Sequence, residues 1–221
     1  MKKLYVSNRD ESIPLFRNAF LDKFTHVHWT VPLILWTPVV LYFLYRTVAT
    51  GEVSGAGVLG LLVAGMFIWT LTEYMLHRFV FHYEPKSKIG QTIHFYTHGI
   101  HHDYPNDSTR LVMPPVVSVP LATLFYFLFD AVLPSASVGA FFAGFIAGYI
   151  TYDTVHYATH HARMENAVGR YLKKYHIRHH YLDPDRGYGV SSPLWDYVFG
   201  TRFSLKDKAE EAKVNAEAAK A

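Results

Sequence analysis

Four long apolar runs, separated alternately by short turns and by long polar stretches, set the pattern along the chain. They cover residues 27–45, 55–76, 114–133 and 136–158. A helix crossing about 30 Å of hydrocarbon at about 1.5 Å per residue needs roughly 20 residues. Each run has that length, so the pattern predicts four membrane-spanning helices. The first run carries Pro32 and Pro38, which membrane helices tolerate. The linkers at 46–54 and 134–135 are too short to hold a domain, so the spans pair into two hairpins with both termini on one side. Gly139, Ala143, Gly144, Ala147 and Gly148 in the fourth run predict close helix packing there.

Charge gives these spans a direction. Arg17 and Lys23 precede the first run, Arg78, Lys86, Lys88 and Arg110 lie between the second and third, and Arg163, Arg170, Lys173 and Lys174 follow the fourth. On the opposite side stands Arg46 alone. The positive-inside rule therefore places the termini and the 77–113 loop in the cytoplasm. The membrane would be the inner membrane of a bacterium or the endoplasmic reticulum of a eukaryote. The basic start is not followed by the apolar stretch of a cleaved signal, so no processing is expected.

Composition narrows the chemistry. The chain is 50% hydrophobic and only 18% charged, which excludes a disordered protein. With no cysteine, disulfides, thiolate nucleophiles and cysteine-ligated clusters are excluded, and a bound metal must use nitrogen or oxygen. Lysines and arginines are spread along the chain, which argues against nucleic acid as a partner. Residues 1–203 read as one membrane domain, and 204–221, rich in Ala, Lys and Glu without an apolar stripe, as a charged helical or disordered tail with no chemistry.

The remaining signal is histidine. Twelve of the 14 histidines fall between His77 and His180, at or beyond the cytoplasmic ends of the spans. They form four clusters: "HRFVFH" with His77 and His82, "HFYTHGIHH" with His94, His98, His101 and His102, "HYATHH" with His156, His160 and His161, and "HIRHH" with His176, His179 and His180. Residues three or four apart share a helical face. His98 thus lies under both His101 and His102, which themselves diverge by about 100° on a helix of about 3.6 residues per turn. One short helix can hand imidazoles to two neighbouring ions, and "HIRHH" repeats that arrangement. His77 and His82, five apart, fall on different sides of an α-helix, so this pair is expected to straddle a helix end. Eight or more imidazoles are too many for one ion, and a two-metal site is the economical reading. Glu73 and Asp153 stand one turn before His77 and His156, in or at the edge of apolar spans, where a carboxylate is costly. There each would either hydrogen-bond the far ring nitrogen of a ligand or simply reach interfacial water. His26 and His28 match no cluster and read as ordinary side chains.

These residues resemble the fatty acid hydroxylase and sterol desaturase superfamily of integral-membrane di-metal oxygenases. The resemblance runs from about Arg17 to Phe203 and rests on "HRFVFH", "HGIHHDYPNDSTRLVMPP", "DTVHYATHH" and "HIRHHYLDPDRGYGVSSPLWDYVFGT". These strings and the opening "VPLILWTPVV" are most similar to the fatty acid 2-hydroxylase (ceramide fatty acid alpha-hydroxylase) branch. The resemblance implies an all-α integral-membrane fold, four transmembrane helices in two hairpins beneath a cytoplasmic helical cap that carries a histidine-rich di-metal site. It implies as ligands His77, His82, His98, His101, His102, His156, His160, His176, His179 and His180. Glu73, Asp153, His94 and His161 are supporting candidates. Tyr188, Trp195 and Asp196, in a loop expected to cap the site, are candidates for substrate contact or packing.

The implied reaction is O2-dependent hydroxylation at C2 of a fatty acyl chain, free or within a ceramide-like or other acyl lipid, using two iron ions. Zinc is a competing occupant, because all-imidazole sites bind it well. Nothing in the chain resembles the fused cytochrome b5 domain of eukaryotic relatives, so electrons are expected from a separate ferredoxin, cytochrome or reductase. The basic face at Lys173 and Lys174 is a candidate docking surface for that donor. Two alternatives stay open: a related lipid desaturase or carotenoid or sterol hydroxylase, and a non-enzymatic membrane metal-binding or transport protein. A transporter would place ligands near the bilayer midplane, whereas these sit at one edge, next to where C2 of a lipid acyl chain lies.

Overall fold

The computed structural model describes residues 4–203, and every regular element among them is helical. The expected tail at 204–221 lies outside the described residues. Two short turns, Ala19–Asp22 and Lys23–Thr25, precede α1 (Val31–Thr50). Helix α2 (Gly55–Leu76) continues through a π-helical turn, His77–Phe81. Helix α3 (Lys88–His94) likewise runs into a π-helical turn, Phe95–Gly99, and a last turn, Ile100–Asp103. Then come α4 (Pro115–Val132), α5 (Ser135–His161), α6 (Ala167–Tyr181) and the short α7 (Leu194–Val198). Helices α1, α2 with its π-turn, α4 and α5 are long and apolar enough to cross a membrane.

The first span sits later in the chain than its apolar run suggests. The Val27 N–H donates to the Thr109 carbonyl at 2.7 Å, which holds the approach segment against the following loop instead of letting it coil. Pro32, in the first helical turn, removes an N–H that a helix start leaves unpaired anyway. The helix then continues past Tyr45 until Gly51 takes a left-handed φ of 67°, a conformation glycine adopts freely. At the other end of the bundle α5 runs three residues beyond the expected 158 and carries all of "HYATHH" in helical register.

Helix α5 is the hub of the bundle. Of its apolar window 56% is buried, against 17% for α1 and 11% for α2 and α4, so the other three spans turn most of their surface outward and pack on α5. Glycine makes the tightest of these crossings. A Cβ on Gly144 would lie 2.0 Å from the Leu62 carbonyl oxygen, and one on Gly65 would lie 2.0 Å from that of Phe141. The α2 and α5 backbones therefore touch directly. Nearer the site, Gly148 makes room for Trp69, and Gly139 admits Thr47 of α1. Trp36, Trp69, Ala122, Phe142, Phe145, Ile146, Tyr149, Tyr152 and Val190 join all four spans and the loop before α7 in one core.

The connections at the histidine end form the cap. Ser87 and Asn166 start α3 and α6 by accepting the Gly90 and Gly169 N–H groups, as helix caps do. An N-terminal strap crosses the cap. Val6 and Ser7 donate their N–H groups to the Asp103 carbonyl at 2.8 and 3.1 Å, and the Asn106 side chain donates to Asn8.

Gly144→Ala is expected to lower thermal stability in detergent by about 1–3 kcal/mol through overpacking. Gly60→Ala on the same bundle, where an added Cβ meets nothing within 4 Å, should melt with the wild type. Equal melting of both variants would contradict the backbone crossing.

Candidate metal centre

Ten histidines converge at the cap end of the bundle in two groups of five. One group comprises His77, His82, His98, His102 and His179, the other His101, His156, His160, His176 and His180. Within each group the nitrogens available as ligands all lie within 4.8 Å of one another. In the first group the Nε2 atoms of His77 and His98 are 3.2 Å apart, those of His98 and His82 3.1 Å, and those of His102 and His98 3.0 Å. In the second, His156 and His101 are 2.9 Å apart, and His176 lies 3.0 Å from both His160 and His180.

Helical spacing divides the two groups. His98 and His102, one turn apart, serve the first group, while the adjacent His101 turns to the second. On α6, His176 and His180 serve the second group and His179 the first. The i, i+4 pair His156 and His160 extends α5 into the second group. His77 and His82 depart from the expectation that they diverge. The π-helical turn closes with the His82 N–H donating to the His77 carbonyl at 3.1 Å, an i to i+5 bond that stacks residues five apart on one face. Both rings thereby enter the same group.

These nitrogens suit a cation. Metal–imidazole bonds of about 2.1 Å at right angles put neighbouring nitrogens about 3 Å apart. Three rings also have a defined tautomer, because a carbonyl only accepts. His77 Nδ1–H donates to the Tyr188 carbonyl at 2.5 Å, His156 Nδ1–H to that of Leu111 at 2.8 Å, and His179 Nδ1–H to that of Arg186 at 2.7 Å. Each Nε2 is then a bare lone pair aimed at its group. Burial, reinforced by neighbouring imidazoles, holds His98, His101, His176, His179 and His180 well below the ordinary histidine range. It pushes His102 down to about 3. The rings are neutral, the form that binds metal.

The supporting residues do not act as their positions along the chain imply. Glu73 does not touch His77. Its Oε1 accepts the Val190 and Ser191 N–H groups at 2.6 and 2.8 Å, and its Oε2 accepts the Ser191 hydroxyl. Asp153 does not touch His156 and accepts the Met113 N–H at 3.3 Å. Carboxylates of this reach bond more readily to the loop backbone packed against them than to a ring higher on their own helix. His94 is half-buried and belongs to neither group, and His161 stacks on Tyr157 at 5.0 Å. Asp196 is fully buried and accepts the Tyr188 and Gly189 N–H groups and the Thr201 hydroxyl. Tyr188 lays its ring against His77, His82 and His179. Trp195 donates Nε1–H to Thr70 of α2 at 2.9 Å. His26 bonds Thr109 and Asp22, apart from both groups.

The carbonyls of Tyr188, Leu111 and Arg186 were not legible among the candidate residues, since any residue offers one. For Arg186 and Tyr188 the trace in the sequence is "RGYGV": Gly187 has a φ of 72°, and a Cβ on Gly189 would lie 2.1 Å from the Ser192 carbonyl oxygen.

A model of the fatty acid hydroxylase family matches residues 62–201. The chain belongs to the fatty acid hydroxylase family. It is accordingly an oxidoreductase, and the paired histidine groups match a family of di-metal hydroxylases. Among relatives of this hydroxylase, the dihydroceramide fatty acyl 2-hydroxylase FAH1 of Arabidopsis thaliana is 43% identical over 197 residues, covering 89% of this chain and 82% of that protein. The ceramide very long chain fatty acid hydroxylase SCS7 of Saccharomyces cerevisiae is 45% identical over 193 residues, 86% of this chain but 49% of the yeast protein. A solved structure described as full-length scs7p, with only its hydroxylase domain visible, superposes with a TM-score of 0.81 at 42% identity. It covers 87% of this chain and 72% of that one.

Asp196→Ala leaves the Tyr188 and Gly189 N–H groups unpaired and is expected to lower stability by about 2–6 kcal/mol, at about 1–3 kcal/mol for each unsatisfied group. Thermal melting in detergent reads this directly, and an unchanged midpoint would contradict the bracing of the loop by Asp196.

Proposed function

We propose that this hydroxylase inserts a hydroxyl at C2 of a fatty acyl chain carried by a ceramide-like or related acyl lipid, with O2 as co-substrate. The observation that carries the reading is the two five-histidine groups, set at the membrane edge of a bundle whose relatives are named as fatty acyl 2-hydroxylases. All ten histidines are proposed as ligands, five to each of two iron ions. Bound iron would supply what side chains lack, the activation of O2 with two electrons from an external donor, so that one oxygen atom enters the C–H bond and the other leaves as water.

The chain's own residues set the conditions for that chemistry. His77, His156 and His179 hold their Nδ1 protons on backbone carbonyls and so keep each Nε2 free. The Tyr188 ring covers the first group and excludes water from that side. Between α2, α4 and α5 runs an apolar cleft lined by Trp69, Met113, Ala122, Phe125, Phe145 and Tyr149. Tyr152 links it to the second group, packing on Trp69 at 5.9 Å and on His156 at 5.8 Å. Its free volume is only about 10 Å³, so these side chains would have to move apart to admit an acyl tail. The basic residues at the cap end against Arg46 at the other support a cytoplasmic site, within reach of a separate electron donor.

Mass spectrometry of lipids from cells expressing the protein with iron and an electron donor tests the reading. The wild type should add one oxygen at C2, and His98→Ala and His179→Ala should abolish the product. Loss of two hydrogens, or a hydroxyl at another carbon, would overturn it. Ala122→Leu, which adds bulk to a cleft with almost no free volume, should reduce turnover of long acyl chains about 10-fold or more relative to short ones in protein that still folds, and an equal effect on both lengths would remove the cleft from the substrate path.

A further inference from the structure

The two groups of histidines share a device built from buried carboxylates. Glu73 stands four residues before His77 on α2, and Asp153 three before His156 on α5. Each carboxylate grips a loop backbone N–H, and two residues earlier in that loop a carbonyl receives the ligand's Nδ1–H. For the first group Val190 bonds Glu73 and Tyr188 bonds His77. For the second, Met113 bonds Asp153 and Leu111 bonds His156. Glu73 and Asp153 are only 3% and 1% exposed, and unpaired carboxylates at such positions would be strongly destabilising. The loops thus satisfy the carboxylates, and the carboxylates fix the distance from helix to loop.

From this geometry we infer that Glu73 and Asp153 are positioning residues, each aiming one histidine at one metal through an intervening loop. The inference rests on the reading of the two groups as metal sites. The assignment is separate for each site, because the two carboxylates bond different loops. Asp153 has the sharper task. Among the described residues, the Nδ1 atoms of His101, His160, His176 and His180 have no hydrogen-bond partner, so His156 is the one ring of its group held by an Nδ1 hydrogen bond. In the first group the same loop orients two rings, His77 through Tyr188 and His179 through Arg186.

Shape and hydrogen-bonding capacity, not charge, carry the effect in this account. Glu73→Gln keeps an oxygen for the two N–H groups, and Asp153→Asn keeps one for Met113. Leucine at either position removes the acceptor. Loss of such a partner weakens a metal site about 10- to 100-fold.

The test is chelator-driven metal release from the purified full chain in detergent, with metal counted per chain. Wild type should hold two ions that both leave slowly. Glu73→Leu and Asp153→Leu should each release one ion at least about 10-fold faster and keep the other at the wild-type rate. The double variant should release both fast, while Glu73→Gln and Asp153→Asn behave as wild type. Should a leucine variant fail to fold, Glu73→Asp and Asp153→Ser, which shorten the reach, should show the same single fast ion. Two slow ions in folded Leu, Asp and Ser variants, or equal acceleration of both ions in each, would overturn the inference while leaving the sites intact. Glutamine and asparagine variants as impaired as leucine would overturn it too, by making charge the agent. A wild-type chain that binds no metal would instead defeat the reading of the sites themselves.

Discussion

Ten imidazoles whose Nε2 atoms crowd to about 3 Å are the constraint on which this structure turns. Neutral rings with lone pairs facing inward repel one another unless a cation lies among them, and burial keeps the rings from relieving that repulsion by taking up protons. In three rings the structure removes the remaining freedom by fixing the proton on Nδ1 against a backbone carbonyl. Each group offers nitrogen alone, with no carboxylate among its candidate donors. The buried carboxylates act instead on the loops that hold the rings.

Such convergence needs helices that cannot slide. The contact of α2 with α5 across Gly65 and Gly144 sets the helix ends that carry His77 and His156, and Gly148 lets Trp69 reach under the site. α5 serves both needs, as the buried centre of the bundle and as the carrier of His156 and His160 of the second group. The cap adds the rest. The turns that continue α3, residues 95–103, and helix α6 each send histidines to both groups, so both elements contribute to each group.

Much of this was legible in the sequence, for reasons that also explain the failures. Apolar length identified the four spans because bilayer thickness dictates it, and small residues in the fourth run marked the tight crossing. The divergence of His101 from His102, and of His179 from His180, followed from helical geometry, although which of the two His98 joins did not, since it stands in a π-turn. That geometry did not hold at "HRFVFH", where a π-turn changes the period and places His77 and His82 together. Nothing in five residues of local sequence signals that turn. The hydrogen-bond partners of Glu73 and Asp153 were not legible, because proximity along a helix suggested the adjacent histidine, whereas Val190, Ser191 and Met113 come from distant loops. The first span began late because Val27 is tied to Thr109, a contact invisible to hydropathy.

The most direct measurement of the central claim is anomalous diffraction at the metal edge from crystals of the metal-loaded protein. The account predicts two peaks per chain, one within each five-histidine group and each ringed by nitrogen alone. A single peak, or an ion bound by Glu73 or Asp153, would contradict it.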